Sequence, residues 1–125
     1  LADIITLHAP LTSETRHVVD ADFLKAMRPH AIVVNSSRGE LIDTQALAAS
    51  LIAEQIGGAA LDVFETEPLP TDSPLWRCEN AIISPHCSSV YDGWADASFD
   101  LFLANLDHWI ASKELFNIVD PSKGY

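Results

Sequence analysis

Ala31-Ile32-Val33-Val34-Asn35-Ser36-Ser37-Arg38-Gly39 is the stretch that decides the fold class. An apolar, largely β-branched run breaks into a polar turn that carries an arginine. A run this short and this apolar reads as a strand in a sheet covered on both faces. Just downstream, Asp43 or Thr44 caps a helix rich in Ala and Leu that continues to about Gln55. Gly57-Gly58 ends that helix and leads into a further strand, Ala59-Ala60-Leu61-Asp62-Val63-Phe64. Strand, helix and strand at this spacing form a βαβ unit, so the class is α/β with parallel strands.

The same alternation extends outward. Asp3 to His8 reads as a short buried strand closing at Pro10, with a polar loop over Thr12 to Thr15. Asp20 caps a helix running to Met27, on which Phe23, Leu24 and Met27 share a face; Pro29 stops it. A Pro-punctuated loop spans Glu65 to Pro74, and the strand Ala81-Ile82-Ile83-Ser84 ends at Pro85-His86. The last element is a long helix from about Asp92 to Lys113. Phe99, Phe102, Leu103, Leu106, Trp109 and Ile110 fall on one stripe of it, as packing residues would. The division expected is residues 1–90 and residues 91–125.

Composition narrows the function classes. The 125 residues hold 7 basic and 18 acidic side chains, a formal net charge of −11. That balance repels phosphate backbones and argues against a nucleic-acid partner. No run approaches the roughly 18 apolar residues of a membrane-spanning helix. The opening Leu1-Ala2-Asp3-Ile4 has no basic n-region and reads as a strand entered from upstream sequence. Cys78 and Cys87 are the only cysteines, which fits reduced thiols in a cytoplasmic protein. The five histidines show no zinc-like spacing, so no metal site is expected.

In open α/β sheets ligands bind beyond the carboxyl ends of the strands. Here those ends carry His8-Ala9-Pro10, Ser36-Ser37-Arg38, Asp62 with Glu67 beyond it, and His86. An arginine presents a planar fork of donors suited to a carboxylate. A histidine gives or takes a proton near neutral pH, and a carboxylate on its far ring nitrogen fixes the tautomer. Ser36, Ser37, Ser88 and Ser89 lie outside any G-x-S-x-G elbow, which speaks against a serine hydrolase. Ser36 and Ser37 read as turn residues exposing backbone N–H groups.

Three segments, Asn35-Ser36-Ser37-Arg38-Gly39, Leu61-Asp62-Val63-Phe64-Glu65-Thr66-Glu67-Pro68 and Ser84-Pro85-His86, together resemble the signatures of D-2-hydroxyacid dehydrogenases. His8-Ala9-Pro10-Leu11-Thr12 with Thr15, Ser73-Pro74-Leu75-Trp76, and the tail Asn117-Ile118-Val119-Asp120-Pro121 with Gly124-Tyr125 extend the likeness, toward the glyoxylate/hydroxypyruvate reductase branch. The resemblance implies the C-terminal half of a Rossmann-like NAD(P)-binding domain followed by a long helix that packs toward a substrate domain. It implies NAD or NADP as cofactor, a small 2-oxo or 2-hydroxy acid as substrate, and a homodimer as the full-length protein. Arg38 would hold the substrate carboxylate and the reacting carbonyl oxygen. His86 would be the general acid or base, and Glu67 would bond it and raise its pKa. Asp62 would meet the nicotinamide end. His8, Pro10, Ser36, Ser37, Ser88 and Ser89 would line the cofactor cleft beside Arg38 and His86.

Two departures accompany the likeness. Cys87-Ser88-Ser89 follows His86 where the family usually has small Ala or Gly residues, and the glycine-rich G-x-G-x-x-G turn does not occur. The 125 residues are therefore expected to be inactive by themselves. NAD-dependent formate dehydrogenase shares the fold but usually places Gln where Glu67 stands. Corepressors of the C-terminal-binding type keep much of the catalytic set and use the dinucleotide mainly to control assembly, which makes them the alternative from a different class.

Overall fold

The computed structural model describes residues 2–121, so Leu1 and Gly124-Tyr125 of the tail motif lie outside the described residues. The chain divides into two compact units, Leu1–Cys87 and Ser88–Tyr125.

In the first unit, β1 (Ile4–Leu7), β2 (Ile32–Asn35), β3 (Gly58–Leu61) and β4 (Ala81–Ile83) form one sheet in sequence order. Every neighbouring pair is parallel, as the βαβ pattern predicts. Between β1 and β2 lies helix α1 (Ala21–Ala26), capped by the Asp20 carboxylate, which accepts from the Phe23 N–H at 2.9 Å. Helix α2 (Thr44–Ile52) joins β2 to β3. Asp43, not Thr44, is its cap, with one carboxylate oxygen accepting from the N–H groups of Gln45 and Ala46. The helix ends short of Gln55 because the backbone turns left-handed at Glu54, with φ of 51°.

The register pairs Ile5 with Val33, Val33 with Ala59 and Asn35 with Leu61, so these residues share one face of the sheet. Leu24 from α1 and Leu47 and Leu51 from α2 close over that face, and Val19, Ile56 and Leu75 complete the buried cluster. Each fully buried Leu or Ile contributes roughly 1.5–3 kcal/mol of transfer free energy.

Four expectations need correction. Among the described residues one face of the sheet is uncovered: Ile4, Ile32 and Ile82 are exposed, Ile82 at 72 %, because α1 and α2 both deliver their apolar residues to the other side. The first strand is not buried, since it forms the edge of the described sheet and alternates exposed with half-buried residues. The third strand stops at Leu61 instead of Phe64. After the Asp62 N–H bonds the Asn35 carbonyl at 2.9 Å, the backbone leaves the ladder and passes Gly39. Two 3-10 turns, Gly39–Leu41 and Pro74–Arg77, stand where only loop was expected.

In the second unit, helix α3 (Trp94–Ile110) follows Gly93, whose φ of 89° suits a glycine. The helix lies inside the expected span, but its stripe is not packed: no residue of α3 is buried, and Trp109 is 71 % exposed. Phe99 and Phe102 stack on each other one turn apart, with ring centroids 6.2 Å apart. Among the described residues of this unit there is no second layer to cover the stripe.

Candidate active site

Parallel pairing sends every strand of the first unit the same way, so the residues following β1 to β4 gather along one carboxyl edge. His86 comes two residues after Ser84, whose N–H bonds the Leu61 carbonyl at 2.9 Å and so ties the end of β4 to β3. The His86 backbone is left-handed, with φ of 52°. A side chain held there costs about 1–3 kcal/mol, although histidine tolerates the region better than most residues. Two hydrogen bonds to Asp62 hold the segment in that conformation. The Ser84 hydroxyl donates to Asp62 Oδ1 at 2.6 Å, and the Cys87 N–H donates to the same oxygen at 2.9 Å. Asp62 is only 5 % exposed and lies beneath the rim as the anchor of the His86 segment.

Glu67 reaches the same place from the loop after β3. Its Oε1 accepts from the Phe64 N–H at 2.9 Å, which closes a short turn, and its Oε2 lies 2.7 Å from His86 Nδ1. The hydrogen bond from His86, with the one from Phe64, holds the Glu67 carboxyl below its ordinary value of 4.5. The carboxylate is ionised at neutral pH and accepts only, so Nδ1 carries a hydrogen. Nε2 is then the nitrogen left to give or take a proton. A hollow of about 600 Å³ opens beside this pair, walled by Phe64, Leu69, Trp76, Ile83 and Pro85.

Arg38 is exposed and begins the turn after β2. Among the described residues its guanidinium bonds only the Ser37 carbonyl, at 2.7 Å through Nη1, so it does not join the Glu67–His86 pair directly. Asn35 shapes this turn: buried at the end of β2, it donates to the Arg38 carbonyl at 2.8 Å and accepts from the Ser37 N–H at 3.1 Å. The Ser37 N–H is therefore not open to a ligand, contrary to the sequence expectation, because the Asn35 side chain has taken it. Ser36 is exposed, and the Ser37 hydroxyl leans toward the Ala9 carbonyl at 3.4 Å. Exposed His8 pairs with Thr6 at 3.1 Å, and the Pro10 carbonyl accepts from the Thr15 hydroxyl at 2.7 Å. Ser88 and Ser89 belong to the second unit, where both are exposed.

Sequence reasoning missed the clamp made by Asp62. It also missed a second imidazole–carboxylate pair, His17 Nε2 to Glu65 Oε1 at 2.6 Å. No local pattern signalled the latter, since its partners lie 48 positions apart. Cys78 and Cys87 are both free thiols, one buried and one exposed.

Known proteins are similar to this chain in sequence and fold. A glyoxylate reductase of Korarchaeum cryptofilum is 47% identical over 89 residues, covering 71% of this chain and 27% of that protein. An (S)-sulfolactate dehydrogenase of Chromohalobacter salexigens is also 47% identical over 89 residues, covering 71% of this chain and 29% of that protein. The chain thus spans less than a third of the length of these two relatives. A solved D-isomer specific 2-hydroxyacid dehydrogenase of Xanthobacter autotrophicus, in complex with NADPH and MES, superposes with a TM-score of 0.88 at 36% identity, over 99% of this chain and 50% of that one. Residues 1–88, which hold the whole sheet and the Glu67–His86 pair, match the profile of the D-isomer specific 2-hydroxyacid dehydrogenase, NAD binding domain, and the chain belongs to that family.

Proposed function

We propose that this chain works within a longer NAD(P)-dependent dehydrogenase that interconverts a small 2-oxo acid, of the glyoxylate or hydroxypyruvate kind, and its 2-hydroxy acid. The observation that carries the reading is the 2.7 Å contact between His86 Nδ1 and Glu67, which leaves Nε2 as a proton-transfer atom at the carboxyl edge of a parallel sheet.

The residues present fit a nicotinamide dinucleotide lying across the strand ends. His8, Ser36 and Arg38 make an exposed polar rim there, with exposed Pro10 and half-buried Ser37 beside them. When bound, the cofactor supplies or accepts the hydride. Arg38 keeps donors beyond the one on Ser37, and these would hold the substrate carboxylate and the carbonyl oxygen. During reduction Arg38 would stabilise the negative charge that develops on the carbonyl oxygen, and His86 Nε2 would deliver a proton to it. Oxidation reverses each step, with neutral His86 taking the hydroxyl proton. Asp62 sets the height of the His86 segment, and residues 91–125 pack toward the substrate domain of the longer protein, which acts as a homodimer.

The test is initial-rate reduction of glyoxylate and hydroxypyruvate by the full-length protein with NADH and with NADPH. Turnover that disappears in His86→Asn supports the assignment. No turnover of any small 2-oxo acid with either nucleotide, at any pH from 5 to 9, would sink it.

A further inference from the structure

Glu67 reaches His86 from a segment that is pinned elsewhere. At Phe64–Glu65 the backbone lies directly on Gly39: a Cβ there would stand 1.9 Å from the Phe64 carbonyl carbon and 2.5 Å from the Glu65 nitrogen. Glu65 then uses both carboxylate oxygens. Oε1 meets His17 Nε2 at 2.6 Å, and Oε2 accepts from the Thr44 N–H, at the start of α2, at 3.1 Å. His17 sits in the loop after β1 and is itself fixed, with a left-handed φ of 54° and its N–H on the Glu40 carbonyl at 2.8 Å. The same loop is laced to residues 41–43 by Val19 N–H to the Leu41 carbonyl and Asp43 N–H to the Val19 carbonyl, both at 3.0 Å. Glu67, in contrast, makes only the bonds to Phe64 and His86 among the described residues.

We propose that Glu65, gripped by His17 and Thr44, is a positioning residue that holds Glu67 against His86 by tying the loop after β1 to the loop after β3. The inference rests on the reading of Glu67 and His86 given above and names what that pair depends on. Glu65 and Glu67 are two residues apart on one short turn, so displacement of the first carries the second. Burial pushes the Glu65 carboxyl up, but the hydrogen bonds from Thr44 and His17 outweigh it and keep the group ionised at neutral pH. The other charged groups beside the clasp are Glu40, paired with Arg16 at 3.9 Å, and Asp43, whose carboxylate is spent on the α2 cap. An ordinary surface ion pair, the competing description, would stabilise the fold without altering Glu67.

The two descriptions separate on the Glu67 carboxyl, read by carbon NMR titration of the full-length protein as wild type, Glu65→Ala and His17→Gln. The clasp predicts that Glu65→Ala returns the Glu67 midpoint toward the ordinary carboxylate value and that His17→Gln moves it the same way by less. It also predicts that Glu65→Ala lowers kcat about tenfold in the wild type yet has little further effect on Glu67→Gln, the non-additivity of residues acting through one contact. His17→Gln retains the Thr44 contact, so it serves if Glu65→Ala does not fold. An unmoved Glu67 midpoint, or equal kcat losses in both backgrounds, overturns the proposal. The titration needs no turnover, so a protein that reduces no 2-oxo acid would sink the dehydrogenase reading while the clasp is still decided by NMR.

Discussion

The Cys87 N–H donates to the Asp62 carboxylate at 2.9 Å, fastening the residue after His86 to the end of β3. The Ser84 hydroxyl uses the same oxygen, so one buried side chain fixes both flanks of Pro85-His86. Asp62→Ala leaves both donors without this acceptor, and a hydrogen bond to a charged group contributes about 1.5–3 kcal/mol. Asp62→Asn keeps an oxygen in place. Urea unfolding of the full-length protein should therefore rank wild type above Asn and Asn above Ala, with kcat falling in the same order. If Asn and Ala were indistinguishable, the hydrogen bonds would not be what holds this segment.

Gly39 has no room for a side chain, because backbone rather than a flexible side-chain end occupies the position. Gly39→Ala must push Phe64–Glu65 away from the turn that carries Arg38. Overpacking of this kind costs about 1–3 kcal/mol, and here it also separates two parts of the site. A lowered urea midpoint together with a reduced kcat is the expected result. An unchanged midpoint would mean that the two loops yield freely.

The carboxyls of Glu65 and Glu67 both lie below their ordinary value of 4.5. A carboxyl depressed by folding stabilises the native state fully above the unfolded value, and the contribution is lost as pH falls through the folded one. The stability that the ionised Glu67 gives the wild type over Glu67→Gln should thus shrink as pH falls below 4.5 and Glu67 takes up a proton. Unfolding curves collected across that range measure it. A gap that stays constant through the acid limb would show that the Glu67 charge contributes nothing to folding.

Much of this was legible because parallel sheets leave strong marks. The run Ile32 to Asn35, the Asp43 cap and the Gly57-Gly58 break each state a local rule that the fold obeys. The Glu67–His86 pair could be anticipated because strand ends gather on one edge. Burial was less legible. Ile32 and Ile82 have the sequence of a two-sided strand yet face outward, since coverage depends on which helices arrive and not on the strand itself. The Phe99-to-Trp109 stripe shows periodicity without revealing its partner. His17 and Glu65 lie 48 positions apart and meet only because two loops close over Gly39, a proximity that no local pattern encodes.

Arg38 and His86 should fail differently when altered in the full-length enzyme. Arg38 is proposed to grip the substrate carboxylate before and during reduction, so its loss weakens ground and transition states together. Arg38→Lys keeps the charge but gives up the planar fork, and it should raise KM for the 2-oxo acid as well as lower kcat. His86 Nε2 is proposed to act only as the proton moves, because Nδ1 is already committed to Glu67. His86→Asn removes the proton donor while leaving an amide near Glu67. It should therefore cut kcat by about 10²–10⁴, the usual share of general acid–base catalysis, with KM little changed. The same variant should slow oxidation of the 2-hydroxy acid as severely, since one group serves both directions. Steady-state kinetics in the two directions decide the matter. If His86→Asn raised KM and spared kcat, the imidazole would be a binding group, and the proton would have to come from elsewhere in the site.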